Sequence, residues 1–285
     1  MKKNVIVILG QTATGKSSLA VKLAKKINGE IISADSRQVY KGLNIGTGKI
    51  TKKEMGSVPH HLLDIANPKL QFSVAEFKVQ AERELGATIA RGHTPIICGG
   101  TGFYIDAVTK CLVLPEVPPN QKLRKELSKK SAGDLLKILR KFDRSRANSI
   151  DPNNEVRIIR AIEIVKALGK VPKISTTPSK YEFIKIGLYL PEDKLKGKVE
   201  KRVIKMFKDG LLSEINKLKK SGLTNKRLQE LGFEYYNPDV EGVITKTIQY
   251  AKRQMTWFKR DKDIIWIDSS ATTSAGMVRR ILKLL

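Results

Sequence analysis

Eight residues near the start of the chain, Gly10-Gln11-Thr12-Ala13-Thr14-Gly15-Lys16-Ser17, satisfy the pattern G-x-x-x-x-G-K-[ST]. The pattern suits the gripping of a phosphate chain. Its glycines let the backbone curl until successive N–H groups point inward, and a following helix adds its positive dipole end. Lys16 is the cation for phosphate oxygens, and the Ser17 hydroxyl is a ligand for Mg²⁺ held between them. A glycine turn with nothing bound is the bland alternative; the position of the match, between an apolar strand and a helical run, argues against it. Where such a loop serves an ATPase or kinase, a second acid at the end of an apolar strand usually helps to hold the metal. Here the strand "PIIC" runs instead into Gly99-Gly100-Thr101-Gly102, with no acid. Asp35 is the one carboxylate at an expected strand end near the loop. Its position suits either metal support or the acceptance of a proton.

The elements that must hold these residues are legible in the hydrophobic pattern. Val5–Leu9 reads as a buried strand, Lys16–Ile27 as a helix and Glu30–Ala34 as a second strand ending at Asp35. A long helical pattern over Ser73–Arg91 closes at Gly92, and Thr94–Gly100 is a third short strand. Alternating strands and helices predict an α/β fold, a P-loop parallel sheet flanked by helices. The character changes after Lys110, where "LPEVPPN" is a proline-broken link to helices over Lys122–Gly169, with "SIDPNN" as a cap before Glu155. From Lys110 to Lys180 there are 17 Lys and Arg against 7 Asp and Glu. This predicts a basic α-helical domain at 112–180, inserted between a first core segment at 1–111 and its completion at 181–285. In the last part, Phe183–Leu190 reads as a strand returning to the sheet. Helices follow near 192–221, 225–236 and 240–260, then a strand at Ile264–Asp268 and a helix at Thr273–Leu285.

Composition narrows the partners. The 285 residues carry 54 Lys and Arg against 28 Asp and Glu, a formal charge of +26, and 41% are hydrophobic, enough for a large core. So large a cationic surplus favours a polyanionic partner, nucleic acid first. No window approaches 18 consecutive apolar residues, so no membrane span is expected. The N-terminal "MKKNVIVILG" lacks a small-residue cleavage site, so no signal peptide is expected either. Cys98 and Cys111 are the only cysteines; they form no C-x-x-C pair, which argues against zinc and suits a reducing cytoplasm.

The stretch "ISADSRQVYKGLNIGTGK" (Ile32–Lys49) joins the phosphate loop to four further motifs. These are "HHLLDI" (His60–Ile65), "GGTGFY" (Gly99–Tyr104), "NNEVRIIRAIE" (Asn153–Glu163) and "YAKRQMTWF" (Tyr250–Phe258), in that order. Together they resemble the tRNA dimethylallyltransferase family from Val5 to about Asp268. The resemblance implies transfer of the five-carbon prenyl group of dimethylallyl diphosphate to N6 of the adenosine 3′ of the anticodon. The loop Gly10–Ser17 then holds the diphosphate of a prenyl donor, with Mg²⁺ on Ser17, although P-loop homology also suggests ATP binding. By resemblance Asp35 is the base, Arg202 with Lys16 stabilises the departing diphosphate, and Thr101 lies beside the prenyl channel. The family has proline where this chain has Gln11, a change expected to loosen the loop without removing a phosphate donor.

The RNA side of the expectation falls on three segments. Asp35, Ser36, Arg37, Gln38 and Thr101 are expected at the target base, which must be extruded from its stack. In the insert, Val156, Arg157, Ile158, Ile159 and Arg160 are expected to contact tRNA, with Arg124 as a further cation. On the third segment, Lys252, Arg253, Gln254, Thr256, Trp257 and Lys259 are expected at the anticodon stem-loop, although Trp257 also suits packing. His60 and Asp64 stand at i, i+4, a helix-like spacing, but two ligands make no metal site. Three rivals share parts of the pattern: a prenyltransferase acting on free adenine nucleotides, a small-molecule or nucleotide kinase, and an RNA-binding protein with a relict loop. The basic insert argues against the first, the missing strand-end acid against the second, and intact Lys16, Ser17 and Asp35 against the third. A cytoplasmic monomer is the expectation.

Overall fold

The computed structural model describes residues 3–285, so Met1 and Lys2, the start of the expected first core segment, lie outside the described residues. Eight strands occur among these: β1 (Lys3–Gly10), β2 (Gly29–Ala34), β3 (His60–His61), β4 (Thr94–Gly99), β5 (Leu112–Val113), β6 (Ser175–Thr176), β7 (Tyr181–Tyr189) and β8 (Ile265–Asp268). Helices α1 (Lys16–Ile27), α2 (Lys52–Met55), α3 (Val74–Ala90) and α4 (Gly102–Thr109) precede β5. Between β5 and β6 lie α5 (Gln121–Leu127), α6 (Ala132–Phe142), α7 (Arg144–Ser149) and α8 (Glu155–Leu168). The remainder are α9 (Glu192–Lys208), α10 (Leu211–Lys220), α11 (Asn225–Leu231), α12 (Val240–Phe258) and α13 (Ser274–Leu282). The chain forms two compact units: one runs up to Cys111 and resumes at Pro178–Leu285, and the other is Leu112–Thr177.

The first unit is built on a six-stranded sheet in the order β3-β2-β4-β1-β7-β8, parallel at every pairing. Strands buried on both faces need no polar alternation, which is why Val5–Leu9 is an unbroken apolar run. Alternate residues of that run serve opposite layers. Ile6 and Ile8 pack with Leu19 and Leu23 of α1 and with Val278 and Ile281 of α13. Val5, Val7 and Leu9 pack with Phe77 and Leu85 of α3 and Ile105 of α4. Helix α3 starts in a capping box, Ser73 accepting from the Glu76 N–H while Glu76 caps the Ser73 N–H. Helices α9 to α11 enclose a separate apolar cluster around Leu43, Leu211, Leu228 and Tyr235.

Three local expectations differ from the structure. The run near 192–221 is two helices, because Asp209 and Gly210 redirect the chain between α9 and α10. The helix near 225–236 stops at Leu231, after which Phe233 to Asn237 form irregular chain. His60 and Asp64 share no helix: His60 lies in β3, and Leu62 and Asp64 have positive φ. His61 instead reaches the buried carboxylate of Glu30, 2.6 Å away, which Arg91 and Thr88 also bind.

The second unit holds four helices around Leu127, Leu135, Leu139, Ile158 and Ile162. Its two ends meet in an antiparallel pair, Leu112 opposite Thr176 and Val113 opposite Ser175. No helix among the described residues is long and apolar enough to cross a membrane.

Candidate active site

The phosphate loop leaves β1 at Gly10, whose φ is +131° and whose missing Cβ would stand 2.1 Å from the Leu188 carbonyl oxygen of β7. Only glycine allows that approach. The loop enters α1 at Gly15 with no side-chain cap, so the first N–H groups of the helix remain available to an anion. Lys16 Nζ donates to the Gln11 carbonyl, 2.5 Å away, which also accepts from Thr14 Oγ1. The side chain of Gln11 corrects the expectation of a looser loop. It is buried, and its Oε1 accepts from Leu190 N at 3.2 Å, tying the loop to the end of β7. The residue thus restrains the loop by a hydrogen bond where proline would restrain it by its ring.

The end of β2 supplies the second wall. Asp35 Oδ1 accepts from the N–H groups of Arg37 (2.8 Å) and Gln38 (3.2 Å), a turn that fixes the carboxylate at the strand end. Thr101, after β4, accepts from Ser36 N through its Oγ1 at 2.9 Å, so the two strand ends are locked side by side. Arg37 is exposed and donates to the Glu230 carbonyl, while Gln38 Nε2 reaches the Thr47 carbonyl. Lys16, Ser17, Asp35, Ser36, Arg37, Gln38 and Arg202 all line one cavity of about 1460 Å³. Arg202, on α9, rests its Nη2 3.0 Å from the Thr47 carbonyl.

Glu234 faces the same cavity and was not among the residues expected there. Nothing in its neighbours' spacing signals a role; the fold after α11 delivers it. Burial pushes its carboxyl up to about 7, with Asp35 adding to the shift and Arg37 and Arg202 opposing it. Burial also pulls the Lys16 ammonium down to about 8, helped by Arg202 and opposed by Asp35. As pH rises, the cavity therefore first gains the Glu234 charge and then loses that of Lys16, and both changes disfavour a bound diphosphate. Affinity for inorganic diphosphate, measured by calorimetry and corrected for the ligand's own ionisation, is expected to fall roughly tenfold between about pH 6 and pH 9. In Glu234→Gln the step near 7 should vanish while the step near 8 stays. A flat profile, or one unchanged by the substitution, rules this account out. The folded carboxyl keeps its proton to higher pH than an unfolded one, so its contribution to stability declines as pH rises from about 4.5 through 7.

The residues expected at RNA divide into exposed and committed ones. Lys252, Arg253 and Thr256 are exposed on α12 and Lys259 just past its end, with Lys252 ion-paired to Glu192 of α9, and Val156 and Arg157 are exposed at the start of α8. Six others are committed within the protein. Gln254 is buried, its Oε1 accepting from Thr12 N (2.8 Å) and its Nε2 donating to the Gly100 carbonyl (2.9 Å), which braces the phosphate loop against the β4 turn. Trp257 is half-buried against the core and donates to Asp106 at 3.0 Å. Ile158 is fully buried and Ile159 partly so, both in the core of the helical unit. Arg124 and Arg160 converge on the buried carboxylate of Glu163, Arg124 through two bonds of 2.7 Å and Arg160 through one of 3.2 Å. Arg160 also donates to the Val117 carbonyl. A carboxylate three residues after Arg160 was visible in the sequence, but its burial was not.

A parallel α/β sheet carrying a P-loop, with a strand-end carboxylate and an arginine on one cavity, defines a phosphate-binding group-transfer protein. The profile of the IPP transferase family matches residues 38–261, and the chain belongs to that family. It is 38% identical to a tRNA dimethylallyltransferase of Anoxybacillus flavithermus, over 96% of this chain and 93% of the relative. A tRNA dimethylallyltransferase of Staphylococcus aureus is 39% identical over 99% and 98%. The crystal structure of the tRNA isopentenylpyrophosphate transferase of Bacillus halodurans superposes with a TM-score of 0.73 at 35% identity, covering 100% of this chain and 95% of that one. A eukaryotic dimethylallyltransferase acting on tRNA gives 0.78 at 29% identity, covering 94% and 74%.

Proposed function

We propose that this protein transfers the dimethylallyl group of dimethylallyl diphosphate to N6 of the adenosine 3′ of the anticodon in tRNA and releases diphosphate. One observation carries the reading. The phosphate loop, Arg202 and the Asp35 strand end share a single cavity in a chain of the IPP transferase family. Adenine N6 is a weak nucleophile, so the reaction depends on drawing off the diphosphate while the amine is held in line. Lys16, the open N–H groups of α1 and Arg202 stabilise the charge that gathers on the leaving oxygen. Both hydrogen bonds to Asp35 fall on Oδ1, so Oδ2 keeps its lone pairs for the N6 proton. Thr101, which accepts from Ser36 N next to Asp35 in the chain, is the proposed contact for the incoming nucleotide.

No group of three or more acid, histidine or cysteine side chains among the described residues forms a metal cage. The Ser17 hydroxyl on the cavity suits Mg²⁺, which keeps its waters and binds through one or two protein oxygens plus substrate phosphates. Ser17 would hold the ion, and the bound ion would supply further neutralisation of the diphosphate. A soluble cytoplasmic monomer is the state in which we expect the protein to act.

The exposed face of α12 (Lys252, Arg253, Thr256) with Lys259 just past its end, and the start of α8 (Val156, Arg157), are the proposed tRNA contacts. Arg157→Ala is expected to weaken tRNA association and to reduce the slope of log K against log salt by about 0.7–0.9. The Michaelis constant for the donor should barely move. A raised donor constant with unaltered tRNA affinity would remove Arg157 from the RNA surface. Arg160 is a poorer test, since its loss leaves the buried Glu163 short of a partner and unsettles the helical unit.

The reading as a whole is tested by incubating the protein with labelled dimethylallyl diphosphate and either bulk tRNA or AMP. Label should enter tRNA alone. Label in AMP and not in tRNA would replace the RNA substrate by a free nucleotide.

A further inference from the structure

Glu214 of α10 is a buried carboxylate, 8% exposed, and it makes an unusual set of bonds. Its Oε2 accepts from Asn44 N (3.0 Å) and Ile45 N (2.8 Å), and its Oε1 from Gly46 N (3.1 Å) and Tyr235 Oη (3.0 Å). Three successive backbone N–H groups turned on one anion form a nest, which fixes the dihedrals of the loop that makes it. The residues that follow in the same loop carry the cavity's arginine. The Thr47 carbonyl accepts from Arg202 Nη2 (3.0 Å) and from Gln38 Nε2 (3.3 Å). At Gly48, with φ +57°, a Cβ would stand 2.2 Å from the guanidinium, so the shelf is shaped to Arg202. That carbonyl is the only hydrogen-bond acceptor of Arg202 among the described residues.

We infer that Glu214 is a positioning residue for the transfer reaction: through the nest at Asn44–Gly46 it holds the Thr47–Gly48 shelf, and through the shelf it aims Arg202 at the diphosphate. Glu214 itself touches no substrate. The inference rests on the reading that Arg202 binds diphosphate. It differs from a purely structural role, in which the carboxylate would only join α10 to the loop. In that case removing it would lower stability without acting through Arg202.

A double-mutant cycle separates the two. Glu214→Gln replaces one acceptor oxygen by an N–H₂ group facing donors, which opens the nest while keeping the side chain's size. Single-turnover prenyl transfer and the dissociation constant of inorganic diphosphate are measured for wild type, Glu214→Gln, Arg202→Ala and the double variant, with thermal unfolding beside them. Glu214→Gln is expected to slow transfer 10- to 100-fold and weaken diphosphate binding about tenfold. Added to Arg202→Ala it should change either quantity less than twofold, although the melting temperature falls equally in both backgrounds. An equal loss of rate in both backgrounds, or no loss in the Glu214→Gln protein, overturns the inference while leaving Arg202 in place. Normal diphosphate affinity in Arg202→Ala removes the underlying reading and the inference with it. If Glu214→Gln does not fold, Tyr235→Phe takes its place, losing one of four donors. The expected loss is then two- to fivefold, again absent when Arg202 is alanine.

Discussion

Lys16→Ala is expected to slow prenyl transfer by about 10²–10⁴, the scale of losing one fixed charge at a developing anion in a site closed to water. The fold should hardly notice. Among the described residues the ammonium's one hydrogen bond is to the Gln11 carbonyl, and Thr14 Oγ1 binds that oxygen as well. A single-turnover assay with labelled donor separates this from weaker binding, because the loss should persist at saturating donor. ATP should be neither consumed nor required. Stoichiometric ATP hydrolysis during transfer would return the loop to the kinases.

Asp35→Asn carries the second large effect and divides two roles of one carboxylate. Asparagine keeps the oxygen that accepts from the Arg37 and Gln38 N–H groups, so the turn at the end of β2 should survive. What it loses is basicity. With Asp35 as the N6 proton acceptor, transfer is expected to fall by about 10²–10⁴ while donor binding and Mg²⁺ dependence stay normal. With Asp35 chiefly a support for the ion, the same variant would need more Mg²⁺ for half-maximal rate, and excess Mg²⁺ would restore it. Metal rescue would take the base away from Asp35 without disturbing the prenyl donor.

What the sequence made legible was local. The phosphate loop could be read because glycine, lysine and serine must stand at fixed offsets on one turn of chain. The strands could be read because a parallel sheet buries both faces and leaves an unbroken apolar run at Val5–Leu9 and a short one at Ile31–Ala34 interrupted by Ser33 alone. The braces were not legible, because each joins distant segments. Gln254 meets Thr12 across 242 positions, and Glu214 meets Asn44 across 170. In a sequence, a glutamine beside arginine and lysine looks like part of a cationic face, and a glutamate in a lysine-rich helix looks solvated. The same ambiguity hid the partner that Arg124 and Arg160 share. Positive charge near a motif reads as RNA-seeking until the fold reveals a buried carboxylate between the two. Arg157, one helical turn away, has no such partner among the described residues and keeps its exposure.

The strand order also bears on how the chain is made. β1 lies in the middle of its sheet, paired on one side with β4 and on the other with β7, in the register Val5 with Phe183 and Leu9 with Gly187. During synthesis from the N-terminus, β4 arrives early, whereas β7 emerges only after the whole of the helical unit. Throughout that interval one edge of β1 is open, and an open apolar edge is a template for other chains. The antiparallel stem at Leu112 and Thr176 shortens the wait in one sense only. Once it closes, the chain between the halves of the sheet behaves as a short loop, because its ends are already together. The insertion therefore prolongs the vulnerable stage of the nascent chain in time while adding little to the entropy of closing the sheet.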